Sequence, residues 1–227
     1  MRKTDAYIIS SVFLIIISSV ICFASDFPLL RDETPVVRSS EARRLGNEKV
    51  KEAVPALIDA LDDEVSGVRI NAIVALGEIE DERAVKPLMD ILDKDELPAA
   101  RAMAAEALGR FKGGRVKNNL LKAAESEDEN IRISAVQSLG RAGGEGEIDE
   151  LIKIAGNDPS WPVREAAAEA LGEIALREAN AKDRVKNILN SISRRDSSER
   201  VKNSAGKAIE KIERAKPGEQ ERRFWFF

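Results

Sequence analysis

The 227-residue chain is 43% apolar but only 4% aromatic, so alanine and leucine must carry its core. A charged fraction of 33% with a formal charge of −4 leaves no basic surplus for neutralising phosphates, so no nucleic-acid partner is expected. Histidine is absent and Cys22 is the single cysteine, which excludes intrachain disulfides, Cys/His zinc sites, thiol catalysis and histidine-based triads.

Residues 1–24 read as a signal peptide or signal anchor. Arg2 and Lys3 precede an uncharged apolar run from Ile8 to Phe23, and Cys22 and Ala24 offer a peptidase a small-residue pair. Sixteen helical residues span about 24 Å, short of the roughly 30 Å hydrocarbon core, which favours cleavage over retention. Lipid attachment at Cys22 is a third reading, poorly served by the bulky Ile21 before it. All three readings place the protein outside the cytoplasm, in the periplasm or beyond, and the anchor reading tethers it by residues 8–23. Residues 25–36 read as a linker.

Residues 37–212 read as a repeat array. Leu-Gly recurs at Leu76-Gly77, Leu108-Gly109, Leu139-Gly140 and Leu171-Gly172, in steps of 32, 31 and 32 residues. Seven residues before each Leu stands Arg69, Arg101, Arg132 or Arg164, with Ala72, Ala104, Ala135 or Ala167 midway. Upstream lie clusters such as Val54, Leu57, Ile58 and Leu61, spaced as on one helical face. Each unit therefore reads as a helical hairpin: a first helix, a turn-rich loop such as Asp62-Asp63-Glu64, and a second helix with Gly as its stop signal. Small residues in the second helix, Ala75, Ala107, Ser138 and Ala170, would let neighbouring hairpins approach closely.

Pro35 to Gly46 repeats the second-helix pattern as an N-terminal half-repeat, with Glu41 at the core Ala position, suited to a cap with one wet face. A fifth hairpin, about six residues longer, carries Lys202, Ile209 and Glu210 at the Arg, Leu and Gly positions. It is expected to cap the other end, with a looser loop near Arg194 to Glu199. A lone hairpin cannot bury its second flank, so the expected fold is all-α: an α-solenoid, or superhelix, of about five hairpins plus the half-repeat.

Segments Asp81 to Phe111 and Asp158 to Ile174, the latter reading DPSWPVREAAAEALGEI, resemble the HEAT-like repeats first associated with phycobilisome lyases. The resemblance covers about residues 37–212. It implies a HEAT-like armadillo-type solenoid whose second helices line the concave side. Such repeats serve in adaptors, regulatory subunits and chromophore lyases, so it implies fold more firmly than function.

The arginines begin their helices, where the dipole disfavours a cation, so acidic partners are expected. Asp62 or Asp63, Asp93 or Asp95, Asp128 and Asp158 each precede an Arg within ten residues, which predicts a structural ladder of Asp–Arg bonds. Positions one, five and nine after each Arg point away from the core. They hold Ile70, Val74 and Glu78, then Ala102, Glu106 and Arg110, then Ile133, Gln137 and Arg141, then Glu165, Glu169 and Glu173. Exposed Ile70, Val74 and Ile133 suggest a groove for an apolar segment, and the three α-spaced glutamates a basic element beside it.

Trp161, between Pro159 and Pro162, reads either as a loop binding anchor or as a cover for the hairpin end. The Gly143-Gly144-Glu145-Gly146 loop lacks the Lys-Ser/Thr of a phosphate cradle. The tail, residues 213–227, is polar until Phe224, Trp225, Phe226 and Phe227, which hold four of the seven aromatics beyond Ala24. This quartet could meet a membrane interface, present a terminal motif to a partner, or fold back over the last repeat.

These features predict an exported, non-catalytic scaffold or adaptor that binds a protein or peptide on its concave face, without metal or cofactor. The alternatives are a lyase-like accessory enzyme or chaperone using Glu106, Glu165 or Glu169, and a membrane-anchored adaptor.

Overall fold

The computed structural model describes residues 27–215. The leader with Cys22 and the aromatic end Phe224 to Phe227 lie outside the described residues. Within them are eleven α-helices and no strand: α1 Pro35–Asn47, α2 Val54–Asp59, α3 Ser66–Ile79, α4 Val85–Lys94, α5 Pro98–Leu108, α6 Gly114–Ala123, α7 Glu129–Ala142, α8 Ile148–Asn157, α9 Trp161–Arg177, α10 Lys182–Arg195 and α11 Glu199–Arg214. They form the expected half-repeat, α1, and five hairpins, α2/α3 to α10/α11. The chain divides into two compact units between Pro87 and Leu88, inside α4.

In the first unit α1 packs along α3, with α2 against α3. The stretch read as a linker contributes a 3₁₀ turn, Pro28–Arg31, whose Leu30 is buried and which packs on α1. In the second unit α5, α7, α9 and α11 pack in succession as one layer, and α6, α8 and α10 cover α7, α9 and α11 as a second. The Leu column Leu45, Leu76, Leu108, Leu139 and Leu171 is wholly buried, as are Ala72, Ala104, Ala135, Ala167 and Ala205. Small and aliphatic side chains fill the space between layers, which is why so few aromatics suffice.

Glycine plays a different part from the one expected. Gly109 does follow the last residue of α5, but Gly77, Gly140 and Gly172 lie inside α3, α7 and α9. Close approach explains the column instead. A Cβ at Gly46 would lie 2.6 Å from Ala75 Cα, one at Gly109 2.9 Å from Ser138 Cα, one at Gly140 2.8 Å from Ala170 Cα, and one at Gly172 2.8 Å from Ala208 Cβ. The small residues Ala75, Ser138 and Ala170 therefore do meet the preceding repeat, glycine against alanine or serine.

The arginine ladder exists, but its carboxylates come from the following hairpin rather than the preceding loop. Arg38 Nε and Nη2 donate to Asp63 at 2.7 and 2.9 Å, Arg132 to Asp158 at 3.0 and 3.3 Å, and Arg164 to Asp196 at 2.8 and 3.0 Å. The arginine's own loop supplies main-chain carbonyls: Arg38 Nη1 donates to Asp32 and Glu33, Arg69 to Asp63 and Glu64, Arg132 to Ser126 and Glu127, Arg164 to Asp158 and Pro159. One guanidinium thus fixes its own loop and staples the next, a two-pronged use that suits Arg's planar fork. Each carboxylate also closes its loop, since Asp63, Asp158 and Asp196 accept the N–H of Val65, Ser160 and Ser198. Hydrogen bonding from Arg38 and Arg164 holds Asp63 and Asp196 below the usual carboxylate range.

The ends replace these packing columns with charge. Glu41, expected on a wet face, is 6% exposed and accepts Arg44 Nε and Nη2 at 2.9 Å each. Its pKa is lowered, first by that hydrogen bond. Arg44 stands where the later second helices have Ala75, Ser138 and Ala170 to receive the preceding repeat, and a salt bridge to Glu48 completes the cluster. In α11, Glu210 occupies the glycine position and is exposed. The loop before α11 is not looser: Asp196 to Ser198 alone separate it from α10. The extra residues lengthen helices instead, with 17 residues in α9 against 14 in α7, and 14 in α10 against 10 in α8.

Candidate functional site

The side chains left over once the packing columns are assigned lie on the second helices. Five residues after each ladder position come Arg43 and Val74 in the first unit, and Glu106, Gln137, Glu169 and Lys207 in the second, all exposed. Their spacing from the buried Leu, two residues further on, turns them outward on a 3.6-residue helix. Nine residues after the ladder position, Arg110, Arg141, Glu173 and Lys211 are exposed in the second unit. The strip is therefore polar and of mixed charge, and it changes from repeat to repeat.

The apolar part of the expected groove is smaller than the sequence suggested. Val74 is 41% exposed, but Ile70 and Ile133 are half-buried. Glu165 is half-buried too, whereas Glu169 and Glu173 are exposed. Glu169 accepts the Ser204 hydroxyl of α11 at 2.8 Å, which ties it to the next repeat. An apolar position that counting from Arg69 missed is Val36, 75% exposed at the start of α1. It borders a cavity of about 320 Å³ within the first unit, beside Ser39, Arg43, Val65, Gly67 and Asn71. Val36 lies two residues before Arg38, outside the positions counted forward from each arginine.

Trp161 is not in a loop. It is the first residue of α9, 38% exposed, with the Arg200 guanidinium 4.9 Å from the ring centroid. That cation–π contact couples the starts of α9 and α11 and leaves part of the ring open to solvent, so the residue supports its neighbour and still offers a surface. Arg200 escaped the sequence reading because it lies two residues before Lys202, outside the columns.

Glu106, Glu165 and Glu169 do not converge. Glu165 and Glu169 are one turn apart on α9, while Glu106 lies on α5, two second helices away, a separation of about 16–20 Å at ordinary helix packing distances. The glycine loop at 143–146 is filled from within: Glu147, 8% exposed, accepts the Gly144 N–H at 2.6 Å and pairs with Lys117 at 3.2 Å. Among the described residues no group of three or more Cys, Asp or Glu is arranged to hold a metal ion. No described helix is long and apolar enough to cross a membrane.

Comparison with known proteins agrees with this architecture. Two curated relatives are similar over nearly two thirds of the chain. A HEAT repeat-containing taxis protein of Halobacterium salinarum is 37% identical over 148 residues, 64% of this chain and 33% of the relative. The bilin biosynthesis protein PecE of Nostoc sp. is 31% identical over 145 residues, 63% of this chain and 56% of the relative. The chain thus spans about a third and somewhat over half of the lengths of these two proteins. Among solved structures, an engineered protein superposes with a TM-score of 0.53 at 20% identity, covering 82% of this chain and 94% of the other. An archaeal HEAT-like repeats protein from Thermococcus onnurineus gives 0.50 at 17% identity, covering 82% and 85%. The family model for HEAT repeats matches residues 27–98 and 85–172, across the ladder and glycine columns described above, and the chain belongs to the HEAT-repeat family.

Proposed function

We propose that the protein is an exported, non-catalytic scaffold that holds a protein segment along the exposed columns of its second helices. One observation carries this reading. Comparing the repeats with one another, the column seven residues after the ladder position holds five buried leucines and the half-buried Ile209, while the exposed column holds Arg43, Val74, Glu106, Gln137, Glu169 and Lys207. Packing holds the first column nearly constant. The second, although Glu169 also accepts the Ser204 hydroxyl, varies in charge and size, as a surface that addresses one extended ligand position by position would. Glu169 and Glu173 favour a basic stretch in that ligand, and the half-open Trp161 ring an apolar or cationic side chain.

The carboxylates held below their ordinary range support a non-catalytic role. Glu41, Asp63, Asp81 and Asp196 each owe the shift first to an arginine hydrogen bond, within α1 for Glu41 and at a loop or joint for the other three. Export rests on the pattern of Arg2, Lys3, the apolar run and Ala24. The likeness to PecE favours a second reading, a lyase-like accessory protein, in which the same strip would hold its protein substrate.

A photo-crosslinking amino acid at Gln137 tests the binding proposal against one at Lys153, exposed on the outer helix α8. A discrete product from Gln137 and none from Lys153 is expected; identical products from both would refute the strip. Intact mass of the mature protein tests export. Loss of residues 1–24 is expected, and a full-length membrane-bound species would replace the soluble scaffold with an anchored one.

A further inference from the structure

One joint of the ladder lacks its carboxylate. Six residues before the ladder position stand Asp32, Asp63, Asp95, Asp158 and Asp196, but Ser126 in the loop between α6 and α7. Ser126 keeps the loop-closing duty, its hydroxyl accepting the Asp128 N–H at 3.3 Å. The nearby carboxylate is engaged elsewhere: Asp128 caps α7, accepting the N–H groups of Asn130 and Ile131 at 2.8 and 3.1 Å.

Arg101 is the arginine whose reach across the joint would end at Ser126. It departs from the pattern of Arg38, Arg132 and Arg164. Its guanidinium turns back, Nε donating to the Leu92 carbonyl at 2.9 Å, rather than forward to the next loop. The residue is half-buried at the start of α5, in the same place as arginines that elsewhere grip two carboxylate oxygens. A serine side chain is too short to supply those oxygens and carries no charge.

We propose that the Arg101–Ser126 joint is a carboxylate-binding site, filled by an acidic side chain or chain-terminal carboxylate of a bound protein segment. The incoming group takes the position that Asp63, Asp158 and Asp196 occupy in the intact joints. Arg101 swings from the Leu92 carbonyl to a two-oxygen grip, and Ser126 adds a hydroxyl donor. The neighbouring Glu127 and Asp128 disfavour a phosphate dianion more than a carboxylate, because repulsion grows with the ligand's charge. The site lies at the loop edge of the second helices and is independent of the exposed strip, so it stands or falls separately from the scaffold reading.

The test uses the full chain with N-acetyl aspartic acid amide as probe, its asparagine counterpart and inorganic phosphate as references, all at one ionic strength. Backbone amide shifts at residues 126–128 and melting temperature are the readouts. The aspartate probe is expected to shift those amides at millimolar concentration, and the asparagine compound is not. Ser126→Asp should abolish the response and raise the melting temperature by about 2–4 °C, the shift that roughly one added kcal/mol produces in a domain of this size. Arg101→Gln should lose the response, and Ser126→Asn, which fills the joint without charge, should not raise the melting temperature. Equal responses in wild type and Arg101→Gln, a stronger response to phosphate, or a melting temperature that Ser126→Asp fails to raise would overturn the proposal.

Discussion

The joint between α7 and α9 and the two ends of the array use the same helix positions to opposite effect. At the joint, Gly140 lies against Ala170 so closely that a Cβ would meet the alanine backbone at 2.8 Å, and Arg164 continues the ladder to Asp196. At the N-terminal end Glu41 and Arg44 stand at the positions where later repeats have Ala and a small residue, and at the C-terminal end Glu210 takes the glycine position. Gly206, four residues before it, has no atom within 4 Å of a built Cβ. At the joint the small residues receive a neighbour; at the ends Glu41 is buried against Arg44, and Glu210 is exposed.

The largest expected effect breaks the joint. Gly140→Val places three heavy atoms where Ala170 already lies and should cost about 3 kcal/mol, the upper range for overpacking, read from the urea midpoint. A cost under about 1 kcal/mol would mean that the helices separate freely and that glycine is not there for close approach. Next comes the ladder. Arg164→Ala leaves Asp196, 8% exposed at its side chain, without its guanidinium and should cost about 2 kcal/mol, between exposed and fully buried pairs.

The same pair sets a pH dependence. The folded pKa of Asp196 is depressed, so its contribution is fully present above the unfolded carboxylate value, about 4, and is lost as pH falls through the lower folded value. Asp196→Asn should therefore lower stability at neutral pH while making the acid limb below about pH 4 shallower. An unchanged acid limb would deny the carboxylate its role. The smallest effect falls in α11: Gly206→Ala should gain about 0.5–1 kcal/mol, from helix propensity alone.

The comparison also shows how much of the molecule was legible beforehand. Hairpins were, because Leu, Ala and Arg recur in register, and a helix of fixed pitch turns register directly into a buried face. Partners across joints were not. Each Arg has an aspartate six residues before it or in the next loop, and only the three-dimensional stack shows that the side chain reaches forward and the carbonyls lie behind. Glycine misled for a related reason: Leu-Gly near a helix end has the same pattern whether the glycine ends the helix or admits a neighbour. The strip was half legible. Period placed Val74, Glu106, Gln137 and Glu169 outward, but Ile70 and Ile133 are half-buried, and a count along a single helix cannot see what surrounds it.

The central claim is that the columns which hold the array are separable from the columns which meet a ligand. Glu106→Lys with Glu173→Lys reverses two exposed charges on α5 and α9, flanking a crosslinker placed at Gln137 on α7. The account predicts a urea midpoint within about 0.5 kcal/mol of the parent, as for ordinary surface substitutions, together with loss of the Gln137 product. An undiminished product, or stability that falls along with it, would contradict that claim.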